Sequence, residues 1–189
     1  MANVHITGYH TCKTEGGWSY IRSEAPFLSG SGANQWLTQG YYFWTDSDYF
    51  AHKWGKSSYN NDYAILRCLI VVENDLLLDI VGSTKAQIYF KRLLTKFESK
   101  LKKIDPNKKA TIHAIIAYWR KQSITNKSIF PFVAIKAQDV YNTGSKLNFI
   151  EGHCESMAVD IQRQQLCLFE EGVNFLQEKE ITYPENFKN

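Results

Sequence analysis

The hydrophobic residues of this chain change their spacing twice. Residues 64–72 are rich in Ile, Leu and Val, which is typical of a buried central strand. From Thr84 the apolar residues recur at helical spacing, at Phe90, Leu93, Leu94, Phe97, Leu101 and Ile104. After Ser128 the chain returns to short strand-like runs. Strands at both ends with a helical insert between them predict an α+β domain.

The same patterns predict the remaining elements. Further strands are expected at 4–8, 41–44, 76–80, 132–136, 147–150, 165–169 and 173–176. Helices are expected around Trp18 to Arg22 and from Ile112 to Trp119, and Thr45 and Asp48 have the spacing of a capping box that opens another helix. A Gly/Ser-rich loop follows from Ser29 to Asn34.

Size and composition favour one globular domain. The chain has 189 residues, 44% of them hydrophobic and 14% aromatic, so we expect a single domain over 1–189 with a basic helical insert at 84–125. The longest apolar runs are half the length of a membrane span and the first residues lack a signal-peptide pattern, so we expect a cytoplasmic protein with no membrane partner. Its four scattered cysteines show no metal-ligand spacing, and no metal is expected.

Three segments far apart in sequence carry the chemistry. They are Gly8-Tyr9-His10-Thr11, then the 40–44 strand Gly-Tyr-Tyr-Phe-Trp with the helix after it, and the 164–168 strand Gln-Gln-Leu-Cys-Leu. In their order and spacing these segments resemble the ADP-ribosyltransferase superfamily of the His-Tyr-Glu type. The resemblance is closest to small bacterial toxin or phage-defence transferases whose third motif reads Q-x-C. It implies two packed, mostly antiparallel sheets, with NAD as substrate.

The resemblance implies a role for each matching residue. His10 is expected to hydrogen-bond the adenosine-side ribose, which suits an imidazole that donates from one nitrogen and accepts at the other. Backbone groups at Thr11 are expected to hold the nicotinamide amide. Tyr42 is expected to pack on the nicotinamide ring, and Trp54 or Tyr49 to form the other wall of the slot.

The third motif departs from the better-known pattern. Gln165 lies where the family places a Glu that holds the ribose hydroxyl and supports an oxocarbenium-like transition state. A neutral amide can orient the ribose but gives less electrostatic help to developing positive charge. Nearby carboxylates that are candidates to replace the Glu are Glu155, Glu170 and Glu171. Gln164 is adjacent, and a one-residue slip would turn the motif to the other sheet face.

The helical insert is strongly basic. Between Lys85 and Lys109 lie nine Lys and Arg residues against two acidic ones, whereas the whole chain has a net charge of +3. Such a surface can bind phosphates, and the residues predicted to contact nucleic acid are Lys91, Arg92, Lys96, Lys100 and Lys103. RNA is the favoured nucleic acid because the chain resembles defence-associated transferases that modify RNA. An acidic antitoxin protein is a rival partner for the same surface.

The sequence therefore predicts an NAD-dependent ADP-ribosyltransferase, a toxin or phage-defence effector acting on nucleic acid. Two alternatives stay open beside it. One is a transferase that modifies protein. The other is a non-catalytic binding module or RNA-binding protein on the same fold, which Gln165 in place of Glu favours.

Overall fold

The α+β class predicted from the sequence is confirmed. A computed structural model describes residues 2–32, 34–139 and 144–187. Its strands are β1 Asn3–Lys13, β2 Tyr41–Thr45, β3 Tyr63–Glu73, β4 Leu77–Asp79, β5 Ala134–Asp139, β6 Lys146–Asn148, β7 Ser156–Ala158, β8 Arg163–Leu168 and β9 Leu176–Tyr183. Its α-helices are α1 Gly17–Glu24, α2 Tyr49–Ser58, α3 Thr84–Ile104 and α4 Ile112–Ser123.

The strands form a seven-stranded sheet in the order β4-β5-β8-β2-β1-β3-β9 and a separate two-stranded sheet of β6 and β7. All pairs are antiparallel except β4 with β5. The pairing is uneven in length. β1 pairs with β3 along its whole length, from Asn3 to Lys13, but with β2 only at Gly8 and Tyr9. Beyond Tyr9 the two halves of the large sheet therefore part.

Apolar side chains fill both faces of the large sheet. One cluster lies between the sheet and α3 and α4, where Leu93, Ile116 and Trp119 pack with strand residues such as Ile135 and Cys167. A second cluster, on strands β1, β2, β3 and β8, buries Ile21 of α1. Burial of these side chains supplies the main driving force for folding.

Helix α2 lies unusually close to the sheet. A Cβ placed on Gly55 would come within 2.3 Å of the Tyr63 ring, so only glycine allows this approach. Ala51, one turn earlier, is fully buried and its carbonyl accepts a hydrogen bond from Thr11 Oγ1 at 3.2 Å. This hydrogen bond holds α2 beside the part of β1 that is not paired with β2.

Two sequence predictions about local structure are wrong. The capping box fails because Thr45 still belongs to β2, and Ser47 Oγ accepts from the Tyr49 N–H at 3.2 Å instead. The strand expected at 173–176 is a 3₁₀ helix over Glu170–Phe175, and the chain then forms β9 at the edge of the sheet. The Gly/Ser-rich loop is present as a loop, although its residue Ala33 lies outside the described part of the chain.

Candidate ligand-binding cleft

A cleft of about 820 Å³ opens where β1 and β2 part. This volume is within the range of about 300–1,000 Å³ that is typical of small-molecule sites. Its floor comes from β1, β2 and β8, and its rim from α2 and from the chain between α1 and β2. The three sequence motifs therefore meet at one site, since His10, Tyr42 and Gln165 all line it.

The backbone of Thr11 faces the cleft. In an antiparallel sheet the N–H and C=O of one residue point to the same side, and neighbours alternate. Asp46 N–H donates to the Thr7 carbonyl on the β2 side, while Asn74 N–H donates to the Ala2 carbonyl on the β3 side. The backbone N–H and C=O groups of the odd-numbered residues of β1 therefore point away from β3. At Thr11, β1 is no longer paired with β2, so the N–H and C=O of Thr11 are directed into the cleft. An amide-binding residue requires backbone groups that are free in this way.

His10 joins three segments of backbone at the edge of the cleft. Its Nδ1 lies 3.0 Å from the Tyr42 carbonyl oxygen, and its Nε2 accepts from the Phe27 N–H at 3.2 Å. Nδ1 therefore carries the proton, and burial lowers the pKa of the ring from 6.5 to about 4. Both nitrogens are occupied by backbone, so the ribose contact expected of His10 stays a prediction and would require one of these bonds to be exchanged.

Tyr42 holds the segment 35–39, which we call the strap. Its hydroxyl accepts from the Leu37 N–H at 3.0 Å and donates to the Thr38 carbonyl at 2.7 Å. Burial raises the pKa of this phenol, so it stays protonated. Tyr42 lines the cleft as expected, but its hydroxyl is engaged by the strap.

The strap is also tied to α4 and to β8. His113 Nδ1 lies 2.8 Å from the Gln35 carbonyl, and Arg120 donates to Thr38 Oγ1 and to the Gln39 carbonyl, both at 2.9 Å. On the cleft side, Trp36 Nε1 donates to Gln165 Oε1 at 2.8 Å. The helical insert thus helps to position residues that line the cleft.

Trp54, not Tyr49, contributes to the cleft. The Trp54 ring lies 6.4 Å from that of Trp44, centroid to centroid, with the ring planes inclined by 51°, and both indoles line the cleft. Tyr49 does not line the cleft; its ring packs edge-on against Phe50 and lies beneath the Lys53 ammonium. Of the two alternatives predicted for the second wall, the structure brings only Trp54 to the site.

Strand register places Gln165, and not Gln164, on the cleft face. Gln165 pairs with Trp44 on one side and with Ala137 on the other, and paired residues point to the same face. Cys167 follows two residues later on the same face, where it lies opposite Tyr42. Gln165, and not the adjacent Gln164, therefore lines the cleft.

The carboxylates proposed to replace the missing Glu lie elsewhere. Glu171 pairs with Arg120 at 3.0 Å, Glu155 lies 3.8 Å from His153, and Glu170 is exposed at the start of a 3₁₀ helix. None of the three lines the described cleft. Among the described residues, the carboxylates that do line it are Glu15 and Asp139.

Both cleft carboxylates are paired with cations. Glu15 lies 2.9 Å from Lys13, and Asp139 forms an ion pair with Arg163. Asp139 lies two residues beyond Ala137, the partner of Gln165, and therefore on the same sheet face as Gln165. Cys12 also lines the cleft, but burial raises the pKa of its thiol to about 12, which makes it a poor nucleophile near neutral pH.

The basic residues of α3 and the turn after it are exposed. The side chains of all nine, including the five predicted to contact nucleic acid, are open to solvent. Within the described residues no carboxylate lies within ion-pair distance of any of the nine. Helix α3 packs on α4, which in turn holds the strap. The basic surface is thus connected to the cleft through two packed helices.

Sequence reasoning missed several cleft residues. Trp44 and Arg163 each lie two positions from a predicted site residue, and the period of two in a strand could have found them. Asp139 and Trp36 had no comparable local pattern, because they reach Gln165 only through the β5–β8 pairing and the strap.

Comparison with models of protein families, with curated proteins and with solved structures finds no match to this chain. In the described part of the chain no helix is long and apolar enough to cross a membrane. Nor do the described His, Cys, Asp and Glu residues include a group of three or more placed to hold a metal ion.

Proposed function

We propose that this chain is an NAD-dependent ADP-ribosyltransferase. The observation that carries the proposal is the convergence of three segments, distant in sequence, on the cleft where β1 and β2 part. The three motifs lie far apart in sequence, and their meeting at one cleft is what a shared site requires. An ADP-ribosyltransferase-type fold is part of the same proposal.

The cleft offers the groups that a nicotinamide needs. The N–H and C=O of Thr11 suit a primary carboxamide, which both donates and accepts. The wall of Trp44 and Trp54 suits a flat, positively charged pyridinium ring. Bound in this way, the nicotinamide ring is shielded from water on the side that the indoles cover.

The reaction breaks the bond between the nicotinamide nitrogen and the ribose carbon, and the bonding electrons leave with nicotinamide. The acceptor oxygen or nitrogen then bonds to that carbon and releases its proton to water. Positive charge develops on the ribose, and Gln165 can orient the sugar. Asp139 is a cleft carboxylate on the same sheet face, and its ion pair with Arg163 reduces the negative charge it offers there. No step requires a metal ion.

The acceptor in this proposal is a nucleic acid, with RNA favoured. Nine exposed cations without carboxylate partners in the described structure create a field that attracts phosphates. A toxin or phage-defence effector in the cytoplasm would meet such acceptors. An acidic antitoxin that covers α3 would use the same charges and block access to them.

The test incubates the protein with labelled NAD and with separate RNA, DNA and protein fractions of a cell lysate. Trp54→Ala is compared with Tyr49→Ala, a matched control because both residues lie on α2 and are 45% and 43% exposed, but only Trp54 lines the cleft. Label in RNA that, at subsaturating NAD, is reduced in Trp54→Ala and kept in Tyr49→Ala supports the proposal. Label in protein alone supports the protein-modifying alternative.

The binding-module alternative makes a different prediction. It is favoured by Gln165, which lacks the charge of the family's Glu. In that case no nicotinamide is released with any fraction, while RNA still binds in a salt-sensitive manner that Trp54→Ala leaves unchanged. That combination would reject the transferase.

A further inference from the structure

The side-chain amide of Gln165 is held in one orientation by Trp36. The indole Nε1–H lies 2.8 Å from Oε1 of Gln165, and an indole nitrogen donates but never accepts. The end of the amide that faces Trp36 must therefore be the oxygen. The amide nitrogen then lies on the opposite side of the group, and no described residue accepts a hydrogen bond from it.

The strap keeps Trp36 in place without help from a ligand. The backbone of the strap is hydrogen-bonded by the Tyr42 hydroxyl and by His113 and Arg120 of α4. Arg120 is itself fixed, since it lies over the Phe169 ring at 4.0 Å and pairs with Glu171. The orientation of the Gln165 amide is thus set before any ligand enters the cleft.

We propose that Gln165 recognises its ligand as a hydrogen-bond donor, and that Trp36 is the positioning residue that sets this polarity. The group recognised is an uncharged oxygen acceptor. Within the proposed function, on which this inference rests, it is a hydroxyl oxygen of the ribose in ADP-ribose. A carboxylate in this place would accept a hydrogen bond from that hydroxyl, so the polarity is the reverse of the one expected from a Glu.

The first experiment examines the amide orientation without a ligand. The chain has five tryptophans, and the indole N–H of Trp36 is identified in a ¹H–¹⁵N spectrum as the signal lost in Trp36→Phe. Slow solvent exchange of this proton in the wild type and fast exchange in Gln165→Met are expected. Equal exchange rates in the two proteins would show that the bond is absent and would overturn the inference.

The second experiment examines polarity through binding of ADP-ribose, which carries both riboses but no cationic ring. Gln165→Met removes the donor and is expected to weaken binding about fivefold, as loss of one hydrogen bond does. Gln165→Glu replaces the donor by an acceptor, to which the ribose hydroxyl can still donate, so it is expected to bind more weakly than the wild type but need not be as weak as Gln165→Met. Binding by Gln165→Glu as tight as that of the wild type would reject a donor role.

Trp36→Phe distinguishes polarity from general damage to the cleft. This variant keeps an aromatic ring but frees the amide to rotate, so Gln165→Glu should cost less affinity in the Trp36→Phe background than in the wild type. An equal cost in both backgrounds would contradict the positioning role. If the wild type binds no ADP-ribose, the proposed function and the assignment of a ribose hydroxyl as the recognised group are both rejected. The exchange rate of the Trp36 indole proton then still shows whether the Gln165 amide is fixed.

Discussion

The ring of His10 bridges β1 and β2 at the point where their backbone pairing stops. Tyr9 is the last residue of β1 that pairs with β2, and the next residue, His10, reaches the Tyr42 carbonyl with its side chain at 3.0 Å. A side chain that replaces a backbone bond in this way lets the strands part without leaving the carbonyl unsatisfied. The cleft depends on that substitution.

Protonation of His10 should destabilise the fold. Burial lowers the pKa of His10 to about 4, so between about pH 6.5 and pH 4 the unfolded chain binds the proton more readily than the folded one. The stabilisation from neutral His10 is complete above pH 6.5 and is lost as the pH falls toward 4, by about 3 kcal/mol. Urea unfolding at pH 7.5 and 4.5 measures this loss.

His10→Gln is the control for the pH experiment, because its amide can donate and accept but does not titrate. The free energy of unfolding of the wild type should fall more between the two pH values than that of the variant. Parallel pH dependence in the two proteins would mean that His10 is not the buried neutral group described here.

Proline at position 11 should remove NAD binding and keep the fold. The Thr11 N–H points into the cleft, so proline removes no bond to β3, and we expect cooperative unfolding with a loss of about 1–3 kcal/mol. Cys12→Pro removes an N–H directed at β3 and should not fold. Circular dichroism and calorimetric titration with NAD check both variants.

Thr11→Ala completes that comparison. It loses the hydrogen bond from Oγ1 to the Ala51 carbonyl but keeps the backbone N–H, so NAD affinity should stay close to that of the wild type. If Thr11→Ala lost as much affinity as Thr11→Pro, the side chain and not the backbone would be the binding group.

Trp54 should contribute to NAD affinity and Tyr49 should not. Aromatic stacking is worth about 0.5–1.5 kcal/mol beyond buried area, so Trp54→Ala should weaken NAD binding about three- to tenfold. Tyr49→Ala changes an equally exposed ring on the same helix that does not line the cleft. Equal losses in the two variants, measured by calorimetric titration, would place the ligand elsewhere.

The sequence predicted the elements with strong local patterns. The segment 64–72, rich in Ile, Leu and Val, lies within β3, and the segment of helical spacing after Thr84 forms α3, which ends at Ile104 just before Asp105-Pro106. β9 was missed because four of its eight residues are exposed and the others are only partly buried, so its sequence lacks the alternating pattern of a half-buried strand.

The site was predictable only where its residues belong to the motifs. Thr11 and Gln165 line the cleft, as does Trp54, one of two alternatives for the second wall, and the roles given to them stay predictions. His10 also lines the cleft, but its two backbone bonds depend on where β2 and the residues before the strap lie. No pattern within one strand reports contacts between residues that are 17 or 32 positions apart.

The charges of α3 should govern RNA affinity and leave NAD binding unchanged. Each phosphate contact releases a counterion, and the slope of log affinity against log salt changes by about 0.7 per contact for single strands. Replacing Lys96 and Lys103 with glutamine should therefore lower RNA affinity and flatten this slope by about 1.4 if both contact phosphate. The control replaces Lys56 and Lys146, which are exposed and lie outside α3. A filter-binding series at several salt concentrations measures both quantities, and equal effects of the two double variants would show that RNA responds to net charge and not to this helix.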